Sequence, residues 1–465
     1  MLFNTLDFVA FLACTFALFL ILPRWRRHVV LIASLIFYGS YNWGILVLLL
    51  LTVAANFFGA QRIAKSAGSR GGKFILAGCV SLNMAFLGFF KYTNMLLYWA
   101  GLAVLDQPLE APFTILLPVG ISFYTFQVTS YVVDVYRGLI QPERRYSKLV
   151  LFTVYFPQLV AGPIERAGRL LPELDFKGNI PTSMIWQGLL LCLWGFFKKV
   201  YVADNLSPLV DYILAVEDPP TGAMLFATIL FPLQLYADFT GYTDIARGLS
   251  RMMGVELSLN FFHPFLSTNH IEFWRRWHIT LGAFLRDYLY IPLGGSRVGP
   301  LRSMVNIMIV WALGGLWHGA TAGYFIWGLY CGLMVAITGA LLPIIGRWEG
   351  QSQARKFTLT IAGRLFTFLT FSLGLLILRA PDAERLVTML GELTVLQGPA
   401  MNLDYIWLSL LFLVPLALFE LWRIFKKEEE PWASSWLAYP SAFIWFLMIW
   451  AAGRFEAREF FYFQF

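Results

Sequence analysis

Residues 2–28 read LFNTLDFVAFLACTFALFLILPRWRRH, an apolar run from Leu2 to Leu22 followed at once by Arg24, Arg26, Arg27 and His28. About 20 predominantly apolar residues are what an α-helix needs to cross a bilayer. Backbone in lipid is satisfied only inside a helix or a closed barrel. No basic segment precedes the run and no small-residue cleavage site follows it, so it reads as an uncleaved anchor rather than a signal peptide. The positive flank assigns the next loop to the cytoplasm and the N-terminus to the outside. A second basic loop, with Arg62, Lys65, Arg70 and Lys73, is expected on the same side. Val29 to Ala60 must then leave and return, turning at Gly39 to Gly44.

Outward from there the pattern recurs. Apolar runs lie near 74–105, 115–133, 149–160, 184–203, 224–236, 305–317, 322–342, 357–378, 405–422 and 436–450. They predict an all-α polytopic integral membrane protein of about 10 to 12 transmembrane helices. The breakers at Pro118-Val119-Gly120 and from Pro157 to Pro163 point to re-entrant pieces, since irregular backbone at membrane depth is tolerated only where protein surrounds it. Composition agrees: 58% of residues are hydrophobic and 14% charged, against about a quarter charged in soluble domains. Arg423, Lys426 and Lys427 form the last cytoplasmic signal, which places the C-terminus outside as well.

The net charge of +7 does not indicate nucleic acid. The basic residues stand in short loop clusters between apolar runs, as the positive-inside rule asks, and no aromatic-interleaved basic domain is present. Cys14, Cys79, Cys192 and Cys331 lie singly in apolar runs, so neither a disulfide framework nor a metal site is expected.

The chemically unusual stretch runs from Asp238 to His318. Of the five histidines, His318 ends a strongly apolar helix. A neutral imidazole in a dry pocket is a usable general base for a hydroxyl, although a core histidine bonded to a carbonyl fits the same position. Gly314, Gly315 and Gly319 leave room beside it for a substrate or a neighbouring helix. His278 follows Trp274-Arg275-Arg276-Trp277 on what reads as an amphipathic helix, and is either a second site residue or an interfacial polar group. His28, His263 and His270 are assigned no chemistry. Asp238 and Asp244 flank Thr240-Gly241, which argues against one uninterrupted helix; pairing with Arg247 or Arg286 is the preferred reading. Arg275, Arg276, Arg286 and Arg297 either grip the phosphates of a nucleotide-like donor or anchor cytoplasmic loops.

The ordered set Pro118-Val119-Gly120-Ile121-Ser122-Phe123-Tyr124-Thr125-Phe126-Gln127, Ala161-Gly162-Pro163-Ile164, Asp238 to Asp244, Trp274 to Tyr288 and Trp317-His318-Gly319 resembles the membrane-bound O-acyltransferase family. The likeness is to its bacterial branch, which includes the alginate O-acetyltransferase membrane subunit and the D-alanine transfer protein of teichoic-acid synthesis. It implies a single membrane domain: N-terminal helices over 1–110, a catalytic core over 111–335, C-terminal helices over 336–452 and an aromatic tail over 453–465. It further implies a horseshoe of tilted helices around a central tunnel, His318 and His278 as the catalytic pair, and Tyr462 in the tail as a candidate acyl carrier. Trp274, Trp317 and the four arginines would bind the donor or line the tunnel, with Asp238, Asp244 and Asp287 as supporting polar groups.

The implied reaction is acyl transfer, acetyl by preference, from acetyl-CoA or another cytoplasmic thioester to an extracytoplasmic polysaccharide at the bacterial inner membrane. No tightly bound cofactor is expected. No Gly-x-Ser-x-Gly elbow is present, so a periplasmic esterase-like acetyltransferase is expected as partner, with membrane lipid around the chain. Alginate, cellulose, peptidoglycan and other polymers all fit as acceptor. Two alternatives stay open: a D-alanyl or lipid O-acyltransferase of the same family, and a non-catalytic transporter or channel.

Overall fold

A computed structural model describes residues 3, 5–66, 68–105, 107, 109, 115–159, 162–349, 352–394, 399–432 and 436–455. Among the described residues, six helices are each long and apolar enough to cross a bilayer: Trp43–Lys65, Arg70–Leu102, Ala223–Met252, Ala322–Gly346, Gln353–Arg379 and Leu403–Lys426. Among the described residues the regular elements are helical, and β-type pairing is confined to two isolated bridges. The chain is thus the all-α, multi-pass membrane protein read from the sequence. Fewer helices span alone than the ten to twelve crossings expected, because several apolar runs are delivered as short helices such as Tyr146–Val154 and Phe156–Leu159.

The opening segment shows how such a run is broken. Leu6–Ile21 and Pro23–Gly39 pass as a span only together, and they are bent by 109° where they meet. Pro23 has no N–H to continue the ladder and disfavours α backbone at the residue before it; Leu22 accordingly leaves the helix at φ −114°, ψ 63°. Arg26, read as a solvated positive flank, is instead buried and turns back into the bend. Its Nε donates to the Phe19 carbonyl at 3.3 Å and its Nη1 to the Gly178 carbonyl at 2.8 Å. The departure and return expected of Val29 to Ala60 are made by one short limb, Arg26–Gly39, and one full helix, Trp43–Lys65.

The chain forms two compact units, Met1–Cys192 with Thr243–Ser258, and Leu193–Tyr242 with Leu259–Arg454. In the first unit, helices Trp43–Lys65, Arg70–Leu105 and Ile121–Tyr136 are joined through neutral side chains. Asn56 and Asn83 exchange bonds of 2.8 and 3.0 Å, and Asn83 Nδ2 donates to Thr129 Oγ1 at 3.1 Å. Such amide pairs join helices where apolar contact gives no preference over lipid. The breaker foreseen at Gly120 is real: the residue is left-handed, φ 72°, and starts helix Ile121–Tyr136.

In the second unit, Trp194, Phe197, Phe419, Trp432 and Trp445 pack ring on ring with centroids 5.1–6.2 Å apart. Helix Ala223–Met252 runs straight through Asp238 and Asp244, so the interruption expected at Thr240-Gly241 does not occur. Gly241 serves close approach instead: a Cβ there would stand 2.9 Å from the Gly195 carbonyl oxygen and from the Lys199 nitrogen. Lys199 lies on a π-helical turn, Phe197–Ala203, the wide coil that often marks functional positions.

Candidate active site

His278 stands between two short helices, His270–Arg276 and Ile279–Leu285, with φ 48° and ψ 53°. A residue with a Cβ takes this left-handed conformation only when its surroundings impose it. Here a short antiparallel pairing does so. Phe262 N donates to the Arg276 carbonyl and Ile279 N to the Asn260 carbonyl, each at 2.9 Å, around the Phe261–Trp277 bridge. Asn260 Oδ1 then takes over the work of a helix N-cap, accepting from Thr280 N at 3.2 Å and Thr280 Oγ1 at 3.0 Å. The same oxygen lies 3.2 Å from His278 Nδ1. His278 is therefore not a member of the amphipathic helix, as its neighbours suggested, but the residue at which that helix is cut. Burial among Phe239, Phe261 and Trp317 disfavours the imidazolium and holds its pKa far below the usual value, at about 3.

His318 is placed by regular means, as the last residue of helix Pro300–His318. Its ring meets Trp317 edge-on at 4.9 Å and Trp327 at 5.1 Å. Gly315 and Gly319 serve a neighbouring helix, the second use the sequence allowed. A Cβ on Gly315 would strike the Tyr324 carbonyl and one on Gly319 the Tyr324 ring, while Gly328 answers from helix Ala322–Glu349 against the Trp311 carbonyl. The two helices close backbone to backbone, which fixes the helix end that carries His318.

The structure brings both histidines to one indole. Trp317 lies 6.3 Å from the His278 ring and 4.9 Å from the His318 ring, centroid to centroid. Trp274 joins the same cluster, 4.4 Å from Trp311 and 6.2 Å from Trp327. Its Nε1 and that of Trp327 are buried donors without a hydrogen-bond acceptor among the described residues.

The charged candidates are more dispersed in their use. Arg276 pairs with Glu272 at 2.7 Å and Arg286 with Asp287 at 2.7 Å, while Arg275 and Arg297 are exposed. Asp244 meets Arg247 at 3.4 Å, one of the two partners foreseen. Asp238 has a partner that was not foreseen: its Oδ1 receives Lys199 Nζ at 2.6 Å, and the same ammonium reaches Asp204 at 2.8 Å. All three groups are buried. The signal for Lys199 was available as a lysine inside an apolar run, which demands a partner; Asp204 lies five residues on, but nothing local pointed to Asp238. His263 and His270, set aside as loop residues, are both engaged, His263 with Glu420 at 3.2 Å and His270 with Thr370 Oγ1 at 2.8 Å. Asn260 was also missed; its role depends on pairing across eighteen residues. Tyr462 lies outside the described residues.

Residues 75–378 match the family model described as MBOAT, the membrane-bound O-acyltransferase family. The chain is 37% identical over 371 residues to the probable alginate O-acetylase AlgI of Pseudomonas aeruginosa, covering 78% of this chain and 68% of that protein. It is 32% identical over 435 residues to a peptidoglycan O-acetyltransferase of Helicobacter pylori, covering 86% and 80% respectively. A teichoic acid D-alanyltransferase of Bacillus subtilis is 27% identical over 237 residues, 48% of this chain and 59% of that protein.

Proposed function

Because the chain belongs to the membrane-bound O-acyltransferase family, we propose that it takes an acetyl group from a cytoplasmic thioester and passes it across the bacterial inner membrane to hydroxyls of an extracytoplasmic polysaccharide. Enzyme class and membrane embedding are those of the family: this is a multi-pass O-acyltransferase. The observation that carries the site assignment is the shared indole, Trp317, on which His278 and His318 both pack.

His318 is the general base. It takes the proton of the attacking hydroxyl as that oxygen bonds to the thioester carbonyl carbon; collapse of the tetrahedral intermediate then breaks the C–S bond, and the proton passes to the leaving thiolate. His278 works on the same reacting group, either orienting it or stabilising the oxyanion. The donor is acetyl-CoA or a related thioester, bound as substrate, with no resident cofactor required. Preference for acetyl over D-alanyl is supported by the acetylase likenesses, which extend over 78–86% of the chain against 48% for the D-alanyltransferase. A polysaccharide acceptor fits the alginate and peptidoglycan acetylation for which those relatives are named, and a separate periplasmic transferase is the partner that completes delivery.

The hydroxyl that first receives the acetyl group is that of Tyr462. The test is mass spectrometry of the C-terminal peptide after purified protein is incubated with acetyl-CoA. An acetyl increment on Tyr462 that is lost in His318→Ala supports donor and relay together. An unmodified peptide, with polysaccharide still acetylated when the partner is present, removes the relay and leaves His318 serving the acceptor directly.

A further inference from the structure

The Asn260 amide can be oriented without assuming which terminal atom is oxygen. Thr280 N is a backbone donor and cannot accept, so the side-chain atom of Asn260 that it meets at 3.2 Å must be the carbonyl oxygen. That assignment settles what usually stays a choice at a histidine ring. His278 Nδ1, 3.2 Å from the same oxygen, makes this bond only by donating. The ring is buried among Phe239, Phe261 and Trp317, none of which carries charge, and it contributes one N–H and one lone pair when neutral.

We infer that Asn260 is a positioning residue that locks His278 in the Nδ1–H tautomer, so that Nε2 presents a lone pair and His278 meets a hydroxyl or thiol proton rather than an acyl oxygen. This deepens the reading of His278 as an active-site group and rests on it. Of the two roles left to His278, the oxyanion role needs a donor, and the only N–H of the neutral ring is already given to Asn260. A lone pair at Nε2 suits instead a place on the hydroxyl: it holds the incoming hydroxyl by its single proton while the thioester binds, and that proton then turns to His318 for the transfer, so the two rings act on it in sequence. Two further features bear on Asn260. Its backbone carbonyl and its side-chain oxygen hold consecutive residues, Ile279 and Thr280, so main chain and ring orientation are fixed by one residue. Its Nδ2 is fully buried and has no acceptor among the described residues, a donor placed beside the histidine that suits an incoming acyl oxygen.

The experiment is 15N NMR of the full-length protein labelled only at histidine, in nanodiscs at neutral pH. His278 is identified by the signals lost in His278→Gln. The expected result is a protonated-type signal for Nδ1 and a lone-pair-type signal for Nε2; the reverse pattern overturns the inference outright, without any Asn260 variant. In Asn260→Leu the tautomers should mix or reverse, with kcat lowered about ten- to a hundredfold, the usual scale for losing an orienting partner, and KM for the thioester little changed. Asn260→Asp should keep the Nδ1–H signal and restore most of kcat. Its carboxylate favours the imidazolium, so the acid limb of its kcat–pH profile should move to higher pH. If the tautomer changes in Asn260→Leu while kcat does not, the hydrogen bond stands but the active-site role of His278 fails, and the positioning role with it.

Discussion

The two histidines are held by opposite means. His318 ends a nineteen-residue helix whose place is set by glycine-to-backbone contact with the next helix. His278 sits on a left-handed residue between two seven-residue helices, kept there by two backbone hydrogen bonds and one asparagine side chain. A regular helix can deliver one group accurately, but its periodicity also dictates every neighbour. A cut between helices frees a residue from that periodicity, at the cost of about 1–3 kcal/mol of backbone strain. The pair shows a site assembled from one element optimised for packing and one for direction.

The comparison is most sharply tested by His318→Ala. Loss of a general base lowers turnover by about 10²–10⁴-fold, so polysaccharide acetylation should vanish at unchanged protein abundance. Acetylation persisting in that strain, or in His318→Gln, would return the transporter reading. The next effect in size concerns the His278 side. Lys199 neutralises Asp238, and Asp238 precedes Phe239, whose ring packs 4.9 Å from His278. Lys199→Met removes the ammonium that two buried carboxylates share, and breaking a buried ion pair costs about 3–5 kcal/mol. Thermal unfolding in detergent should show that loss, and Lys199→Met with Asp238→Asn should recover part of it. No recovery would mean the cluster does not act as an ion pair.

On the His318 side, Gly319→Ala drives a Cβ into the Tyr324 ring and should cost about 1–3 kcal/mol by overpacking. Gly314→Ala meets only Leu285 Cδ1 at 3.4 Å and gains about 1 kcal/mol of helix propensity, so it should be neutral or stabilising. Equal penalties at the two glycines would contradict the helix pairing described above.

The remaining test is in pH. His278 lies outside the spanning helices, and burial holds its folded pKa at about 3, against 6.5 for the free group. Below about pH 6.5 the unfolded chain binds a proton that the folded chain refuses, so stability falls as pH drops. His278→Gln removes that contribution. Its Tm should decline less steeply than wild type between about pH 6.5 and 4; parallel curves would show that the ring is not desolvated as the structure has it.

Much of this was legible in the sequence. Runs of spanning length give a helical membrane protein wherever they occur, and Trp317-His318-Gly319 at the end of an apolar helix singles out a polar group that lipid will not tolerate. What stayed hidden depends on pairing between segments. Gly241 looked like a break because a lone Gly after Thr is a local signal, whereas its purpose, contact with the backbone of Gly195 and Lys199, is tertiary. The preceding Trp274-Arg275-Arg276-Trp277 continues a helical pattern into His278, and only the bonds from Asn260 and Phe262 show where that pattern stops. The lysine partner of Asp238 is thirty-nine residues away, beyond any spacing rule.

The bend at Leu22 sets a schedule for biogenesis. Arg26 gives one of its hydrogen bonds to the Gly178 carbonyl, 152 residues downstream. At about 5–20 residues per second, the ribosome needs roughly 8–30 s to supply that acceptor after Arg26 emerges. Through that interval the guanidinium has only its local contacts, the Phe19 carbonyl and the Phe19 ring. Part of what holds the bend therefore becomes available only once residue 178 has been made, so this hairpin settles later than its own local contacts alone would allow.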